Sequence, residues 1–157
     1  MVNKVYILVG VPGSGKSTWI KNQVWALGMP VVSTDAHVEN HARKLGLTYS
    51  DVFNGYMPTA VDLMVNHAVH CRTNSLDFIW DQTSTSIATR AKKIRMLPDY
   101  YKIAVVFKTP EPEELARRLA SRPGKNIPPE VSESMVRQLR DEPPTKEEGF
   151  DEIWYAQ

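Results

Sequence analysis

A glycine-rich segment, GVPGSGKS, occupies residues 10–17 of this 157-residue chain. It matches the phosphate-binding pattern G-x-x-x-x-G-K-[ST], and it lies between an apolar run at residues 5–9 and a helix-compatible stretch at residues 17–27. A strand, a glycine loop and a helix in this order predict an α/β architecture in which the loop holds phosphate groups. The candidate nucleotide contacts are Gly10, Pro12, Gly13, Ser14, Gly15, Lys16, Ser17 and Thr18.

The residue types in this loop suit that chemistry. Glycines let backbone N–H groups curl around phosphate oxygens, and the start of the following helix adds partial positive charge. Lys16 is predicted to reach the β- and γ-phosphates, and Ser17 is predicted to ligate Mg²⁺. The loop therefore predicts binding of a nucleoside triphosphate, either ATP or GTP, together with Mg²⁺.

Strand-like and helix-like segments alternate along the rest of the chain. Further strands are predicted at residues 31–34, 76–80, 101–107 and 150–155, and helices at 59–72, 86–97, 109–121 and 130–140, with an irregular segment at 36–58. Because parallel strands need helical crossovers, this order predicts a doubly wound parallel sheet flanked by helices. The length and the lack of a linker predict a single domain over residues 1–157.

Composition and net charge limit which partners this chain is expected to bind and in which compartment it is expected to occur. The formal net charge of +1 provides no overall positive field that would hold a long nucleic acid non-specifically. A polyanion must therefore bind at a local site. No apolar run approaches the roughly 18 residues of a membrane span, so no membrane contact is expected. A lone cysteine, Cys71, and the lack of a secretory leader predict a reducing, intracellular, cytoplasmic location.

Two carboxylates follow predicted strands. Asp35 ends the second strand, and parallel sheets place their ligands at the carboxyl ends of their strands. Asp35 is therefore a candidate general base for an acceptor hydroxyl. The alternative is that Asp35 caps the next helix. Asp81 ends the predicted strand at residues 76–80 and is a candidate contact for Mg²⁺ or for the acceptor. The alternative is that Asp81 is a turn residue.

A short helical lid is predicted over residues 117–128, where four basic side chains flank a Pro-Gly pair that can act as a hinge. A guanidinium that arrives when such a lid closes stabilises charge on a transferring phosphoryl group. Arg122, next to the hinge, is the first candidate for that role, and a solvated helix face is the alternative for one of Arg117 and Arg118, since adjacent residues cannot share a face. The four basic residues are Arg117, Arg118, Arg122 and Lys125.

Two weaker patterns concern the acceptor. Tyr49, Phe53 and Tyr56 could stack on an acceptor base, although core packing is an equal explanation for two of them. The basic stretch at residues 89–95, which includes Arg90, is a candidate contact for acceptor phosphate, with a solvated face as the usual alternative.

The motifs together resemble the kinase module of polynucleotide 5′-kinases, among the small phosphate-loop kinases that act on hydroxyl groups. The resemblance rests on GVPGSGKSTW at 10–19, Asp35, IWDQT at 79–83 followed by Arg90, Arg122 before Ile127 and Pro128, and EPPT at 142–145 leading to EGF at 148–150. It implies an ATP-dependent phosphotransferase that acts on the 5′-hydroxyl of DNA or RNA. In that reading Lys16 and Ser17 hold the triphosphate and its metal, Asp35 is the base, Arg122 is the lid arginine, and Asp81 lies between the donor and acceptor sites.

The chain departs from that family in two ways. Phage members carry an arginine three residues after the base aspartate, and here that position is Val38. The phosphatase domain of many members has no counterpart in this chain, so end repair would need a separate phosphatase or ligase. Two other functions stay open: a small-molecule kinase for a nucleoside, sugar or hydroxymethylated base, and a nucleotide-hydrolysing switch protein.

Overall fold

The computed structural model describes residues 2–156, and of Val24 only the backbone. The strands are β1 (Lys4–Val9), β2 (Val31–Val32), β3 (Phe78–Trp80), β4 (Tyr101–Phe107) and β5 (Glu152–Ala156). They form a parallel sheet in the order β2-β3-β1-β4-β5. The helices are α1 (Lys16–Asn22), α2 (Asp35–Leu45), α3 (Tyr49–Thr73), α4 (Ile87–Met96), α5 (Pro112–Ala120) and α6 (Pro129–Asp141).

Alternate residues of the central strand β1 enter two separate apolar clusters. Val5, Ile7 and Val9 pack with residues of α3, α5 and α6, whereas Tyr6 and Leu8 pack in a cluster that α1 borders. Both faces of the sheet are thus covered, which explains why β1 is a continuous apolar run rather than an alternating one. The predicted doubly wound α/β fold is confirmed.

The prediction that residues 36–58 are irregular is wrong, because most of these residues lie in helices α2 and α3. Thr48 and Asp51 form a reciprocal capping box that starts α3. Pro58 lies inside that helix, where proline normally breaks a turn. Val52 and Ala60 are buried against α2, and this packing outweighs the local breaker signals.

Several other boundaries differ from the prediction. The strand predicted at residues 31–34 ends at Val32, so Asp35 begins α2 instead of ending that strand. The helix predicted over residues 17–27 ends at Asn22 and is followed by a separate 3₁₀ turn at Val24–Ala26. The predicted lid is helical only through Ala120, the last residue of α5. Residues 121–128, which we call the lid segment, are irregular and lead into α6.

Three candidate site segments meet at one edge of the sheet. The glycine-rich loop follows β1, Asp81 follows β3, and Asp35 lies three residues beyond the end of β2. Because these three strands are parallel neighbours, their carboxyl ends lie at the same edge. The sheet topology therefore brings the glycine loop and both carboxylates to one region.

Candidate active site

The glycine loop has the tight backbone that its sequence predicts. A Cβ atom at Gly10 would lie only 2.6 Å from Ser14 Oγ and 2.9 Å from Phe107 Cβ, so a larger residue does not fit there. Gly15 adopts a left-handed conformation with φ of 101° directly before α1, and no side chain caps the first amides of that helix. The loop thus presents backbone donors with no side-chain competitor.

Lys16 folds back across this loop. Its Nζ donates hydrogen bonds to the carbonyl oxygens of Gly10 at 2.8 Å and Val11 at 2.9 Å. Burial lowers the pKa of Lys16 to about 8, opposed by the nearby carboxylate of Asp81 and assisted by the positive charge of Arg122. A cation is therefore held within the loop that the sequence predicts to bind phosphate.

The loop and its surroundings fit a bound triphosphate. The hydroxyl oxygen of Ser14 is buried and has no hydrogen-bond partner within residues 2–156, which is costly unless a ligand supplies one. A cavity of about 2150 Å³ opens beside the loop. Of the predicted site residues, it is lined by Pro12, Gly13, Ser14, Gly15, Lys16, Ser17, Thr18, Asp35, Asp81 and Arg122.

Asp35 is the first residue of α2, and its side chain does not cap that helix. Thr34 is the N-cap residue, and the nearby Ser33 hydroxyl accepts a hydrogen bond from the amide of Ala36 at 3.2 Å. The carboxylate of Asp35 instead accepts hydrogen bonds from the Tyr49 hydroxyl at 2.7 Å and from Lys125 Nζ at 2.9 Å. The capping alternative is therefore wrong, and the carboxylate belongs to the cavity.

The charge of Asp35 is stabilised by these partners. Partial burial acts to raise the pKa of Asp35, but the Lys125 ammonium, the Tyr49 hydroxyl and the more distant Lys16 together hold it below its usual value. The side chain is half-exposed, at 51%. Asp35 is thus an ionised carboxylate that solvent and a ligand can reach.

Asp81 is held in place by the sheet. Its backbone N–H donates to the carbonyl of Val32 at 2.8 Å, which extends the pairing of β3 with β2. Burial raises the pKa of Asp81, with Lys16 acting in the opposite direction. Within residues 2–156 no cluster of three or more acidic, histidine or cysteine side chains could hold a metal alone. Asp81 and Ser17 both line the cavity and offer oxygen atoms, and Mg²⁺ takes only one or two oxygens from protein and several from phosphate or water, so these residues fit that cation.

The basic residues at the lid divide into two groups. Arg117 and Arg118 both pair with Glu114 on α5, and Arg118 also donates to the carbonyl of Gly13 at 3.0 Å. Arg122 lines the cavity, and no other side chain or carbonyl within residues 2–156 binds its guanidinium. The contact from Arg118 to the glycine loop has no signal in the sequence, since it joins residues far apart in the chain.

The lid segment is docked on the start of α3. The amide of Ser50 donates to the carbonyl of Gly124 at 3.0 Å, and the Ser50 hydroxyl accepts from the amide of Asn126 at 2.7 Å. Gly124 has a φ of 67° and passes so close to Thr48 that a Cβ would lie 2.9 Å from its side chain. These contacts bracket Lys125 and aim it at Asp35.

The prediction that Arg90 binds the acceptor is wrong. Its side chain is fully buried and pairs with Glu148 at 2.8 Å. Its other donors bind the carbonyl oxygens of Ser84 at 3.0 Å and Glu142 at 2.7 Å. Arg90 therefore has no group free for a substrate, and it ties the segment before β5 to the loop that follows Asp81. A basic helical stretch cannot by itself reveal that one of its arginines points inward.

Replacing Arg90 with methionine is expected to lower the free energy of unfolding by about 3 kcal/mol, because it removes one partner of a buried ion pair and leaves two carbonyl groups unpaired. Arg95→Met, on the exposed face of the same helix, is the control and should change little. Urea unfolding curves measure both. Equal midpoints for the two variants would contradict a stabilising role for Arg90.

The structure also places Val38 and the three aromatic residues that the sequence singled out. Val38 is fully buried between α2 and α3, so the position where phage kinases carry an arginine does not face the cavity. Tyr56 stacks on His41 with ring centres 3.8 Å apart, while Tyr49 and Phe53 line the cavity. Only two of the three aromatic residues are thus placed where a substrate could touch them.

Comparisons with known proteins agree with this fold. A family model described as AAA domain matches residues 5–144. A candidate kinase from Chloroflexus aurantiacus has a TM-score of 0.73 and 18% identity, over 99% of this chain and 88% of that chain. A gluconokinase from Sinorhizobium meliloti has a TM-score of 0.55 and 18% identity, over 97% of this chain and 81% of that chain. At this identity, both show the fold alone.

A third structure is nearer in sequence. It belongs to the Pnkp1/Rnl/Hen1 RNA repair complex and has a TM-score of 0.69 and 25% identity, over 96% of this chain but only 47% of that chain. No curated protein sequence is significantly similar to this one. Within residues 2–156, none of the helices combines the length and hydrophobicity that a membrane crossing requires.

Proposed function

This chain belongs to the AAA domain family and has a kinase-like phosphate-loop fold, and we propose that it is a magnesium-dependent kinase that transfers the γ-phosphoryl group of ATP or GTP to a hydroxyl group. The observation that carries this proposal is the shared cavity of Lys16, Asp35 and Arg122. A buried cation for the donor phosphates, an ionised carboxylate for an alcohol and an unpaired guanidinium are the groups that phosphoryl transfer needs.

In the proposed reaction the acceptor oxygen attacks the γ-phosphorus. A new P–O bond forms, the bond from phosphorus to the β,γ-bridging oxygen breaks, and the hydroxyl proton passes to the carboxylate of Asp35. Lys16 and Arg122 stabilise the charge on the phosphoryl oxygens. Ser17 and Asp81 are the candidate ligands that would hold Mg²⁺, which would supply positive charge to the phosphates.

We propose the 5′-hydroxyl of DNA or RNA as the acceptor. The order of sequence pieces shared with polynucleotide 5′-kinases supports this, as does the 25% identity to a chain of an RNA repair complex. The cavity, at about 2150 Å³, is also larger than the roughly 300–1,000 Å³ of most small-molecule sites. Its lining includes Arg43 and Lys108 and also Arg118 and Lys125, which pair with Glu114 and Asp35.

A small-molecule alcohol is the second candidate acceptor, and one observation favours it. At the position where phage kinases carry an arginine this chain has Val38, which is buried between α2 and α3, so that position supplies no cation for an acceptor phosphate. A nucleoside or sugar would not require that cation, because it carries no neighbouring phosphate.

The decisive experiment incubates the protein with γ-labelled ATP, Mg²⁺ and a panel of 5′-hydroxyl DNA and RNA oligonucleotides, nucleosides and sugars. Label on the oligonucleotide 5′ end, with an acceptor KM that rises steeply with salt, would support the polynucleotide acceptor. Label on a nucleoside or sugar alone would replace it with the second candidate. Release of labelled phosphate with no labelled acceptor would contradict a kinase and favour a hydrolytic switch.

Asp35→Asn tests the general base. Phosphoryl transfer should fall at least about 10²-fold, because the amide cannot accept the hydroxyl proton, whereas nucleotide binding should persist. Asp62→Asn, an exposed change on α3 outside the cavity, is the matched control. Single-turnover transfer and nucleotide titration measure the two effects. Unaltered transfer by Asp35→Asn would remove Asp35 from this role.

A further inference from the structure

Tyr49, at the start of α3, holds one oxygen of the candidate base. Its hydroxyl donates a hydrogen bond of 2.7 Å to Oδ1 of Asp35. Its ring lies 5.5 Å from that of Phe53 and is half-buried at the first position of α3. The capping box of Thr48 and Asp51 fixes the backbone at this helix start, so the hydroxyl is presented from a rigid element.

The second oxygen of Asp35 has a different kind of partner. Oδ2 accepts a hydrogen bond of 2.9 Å from Lys125, which belongs to the lid segment rather than to a helix or strand. The ammonium group of Lys125 also lies 4.4 Å from the centre of the Tyr49 ring, within range of a cation–π contact. The two oxygens of the base are therefore unequal: a helix holds one, and the lid segment covers the other.

This asymmetry assigns different roles to the two oxygens. We propose that Tyr49 is a positioning residue that fixes Oδ1 of Asp35 and thereby directs Oδ2 at the acceptor hydroxyl, with Lys125 occupying the acceptor's place while the lid segment is docked. This inference rests on the proposed function of Asp35 as the base. It gives α3 a part in catalysis that no sequence motif marks.

The charges around Tyr49 and Asp35 determine in which direction the pH dependence of kcat should change. Besides Tyr49 and Asp35 themselves, the charged groups that act on this region are Lys125 and Arg122 from the lid segment, Lys16 from the glycine loop, Asp81 after β3 and Glu39 on α2. Burial and the adjacent Asp35 raise the pKa of Tyr49, so its hydroxyl stays a donor at neutral pH.

The hydrogen bond from Tyr49 is one of the contacts that lower the pKa of Asp35. Its removal should raise that pKa, and the base would then be ionised only at higher pH. The acidic limb of the kcat profile should accordingly move to higher pH. A purely structural role for the ring would not move this limb, because phenylalanine keeps the packing.

Tyr49→Phe tests the assignment. We expect kcat to fall about tenfold, with acceptor KM nearly unchanged, because a hydrogen bond to a charged group is lost while the ring remains. Tyr56→Phe, on the same helix and stacked on His41, is the matched control and should keep the wild-type kcat and pH profile. A wild-type kcat and acidic limb in Tyr49→Phe would overturn the proposal.

A second measurement is independent of turnover. Titration of the Asp35 side-chain carboxyl by NMR, in protein labelled at aspartate, gives its pKa in wild type, Tyr49→Phe and Tyr56→Phe. A higher pKa in Tyr49→Phe alone supports the assignment, and equal values in all three overturn it. If the wild type phosphorylates no acceptor in the panel, the proposed function fails, and this titration still decides whether Tyr49 holds the carboxylate.

Discussion

Lys16→Met is expected to reduce phosphoryl transfer by about 10³-fold, because it removes the cation that the glycine loop holds beside the donor phosphates. Lys16 Nζ lies 2.8 Å and 2.9 Å from two loop carbonyls, so the charge is already placed before a ligand binds. Methionine keeps the length and much of the volume of the side chain. The loss should therefore report on charge rather than on packing.

Single-turnover transfer from γ-labelled ATP measures this effect, and a fluorescent nucleotide analogue measures binding. Lys21→Met, an exposed change on the same helix that lies outside the cavity, is the control. Because Lys16 acts on the transferring group, the rate constant should fall by more than the affinity does. Similar rates for the two variants would contradict the assignment of the loop as the donor site.

The parts of the fold that could be predicted are those with strong local signals. The glycine loop was predictable because one short segment combines the glycines that its backbone requires, a lysine, and a strand and a helix on either side. The strands of the sheet were predictable because residues buried on both faces leave continuous apolar runs, as β1 and β4 do. Given parallel strands, the position of Asp35 and Asp81 at one edge followed from topology.

Contacts between distant segments could not be predicted. Local breaker signals at residues 36–58 were misleading because α2 and α3 stabilise each other through Val52 and Ala60, which no local pattern reveals. Arg90 was misassigned because its partner, Glu148, lies 58 residues away. The contact between Asp35 and Lys125 spans 90 residues, so neither the docked lid segment nor the asymmetry of the base could be deduced before the structure.

The lid segment connects the two halves of the candidate site. Lys125 contacts Asp35, on the acceptor side, while the positive charge of Arg122 acts on Lys16, on the donor side. Ser50 fixes the backbone between Gly124 and Asn126, so a movement of this segment changes both contacts together. Arrival of an acceptor at Asp35 would therefore be coupled to the position of Arg122.

Arg122→Ala is accordingly expected to lower kcat by about 10³–10⁵-fold, the range that arginines of this kind contribute in other phosphoryl-transfer enzymes. Nucleotide affinity and acceptor KM should change little, because the guanidinium acts on charge that develops only during transfer.

Steady-state kinetics with varied acceptor, together with nucleotide titration, separate these effects. Arg117→Ala is the matched control, since Arg117 lies five residues earlier, pairs with Glu114 and does not itself line the cavity. A normal kcat with a raised acceptor KM would make Arg122 a recognition residue instead. Lys125 would then be the cation of the lid segment left to stabilise the transferring group, because its ammonium is released from Asp35 when the acceptor hydroxyl takes its place.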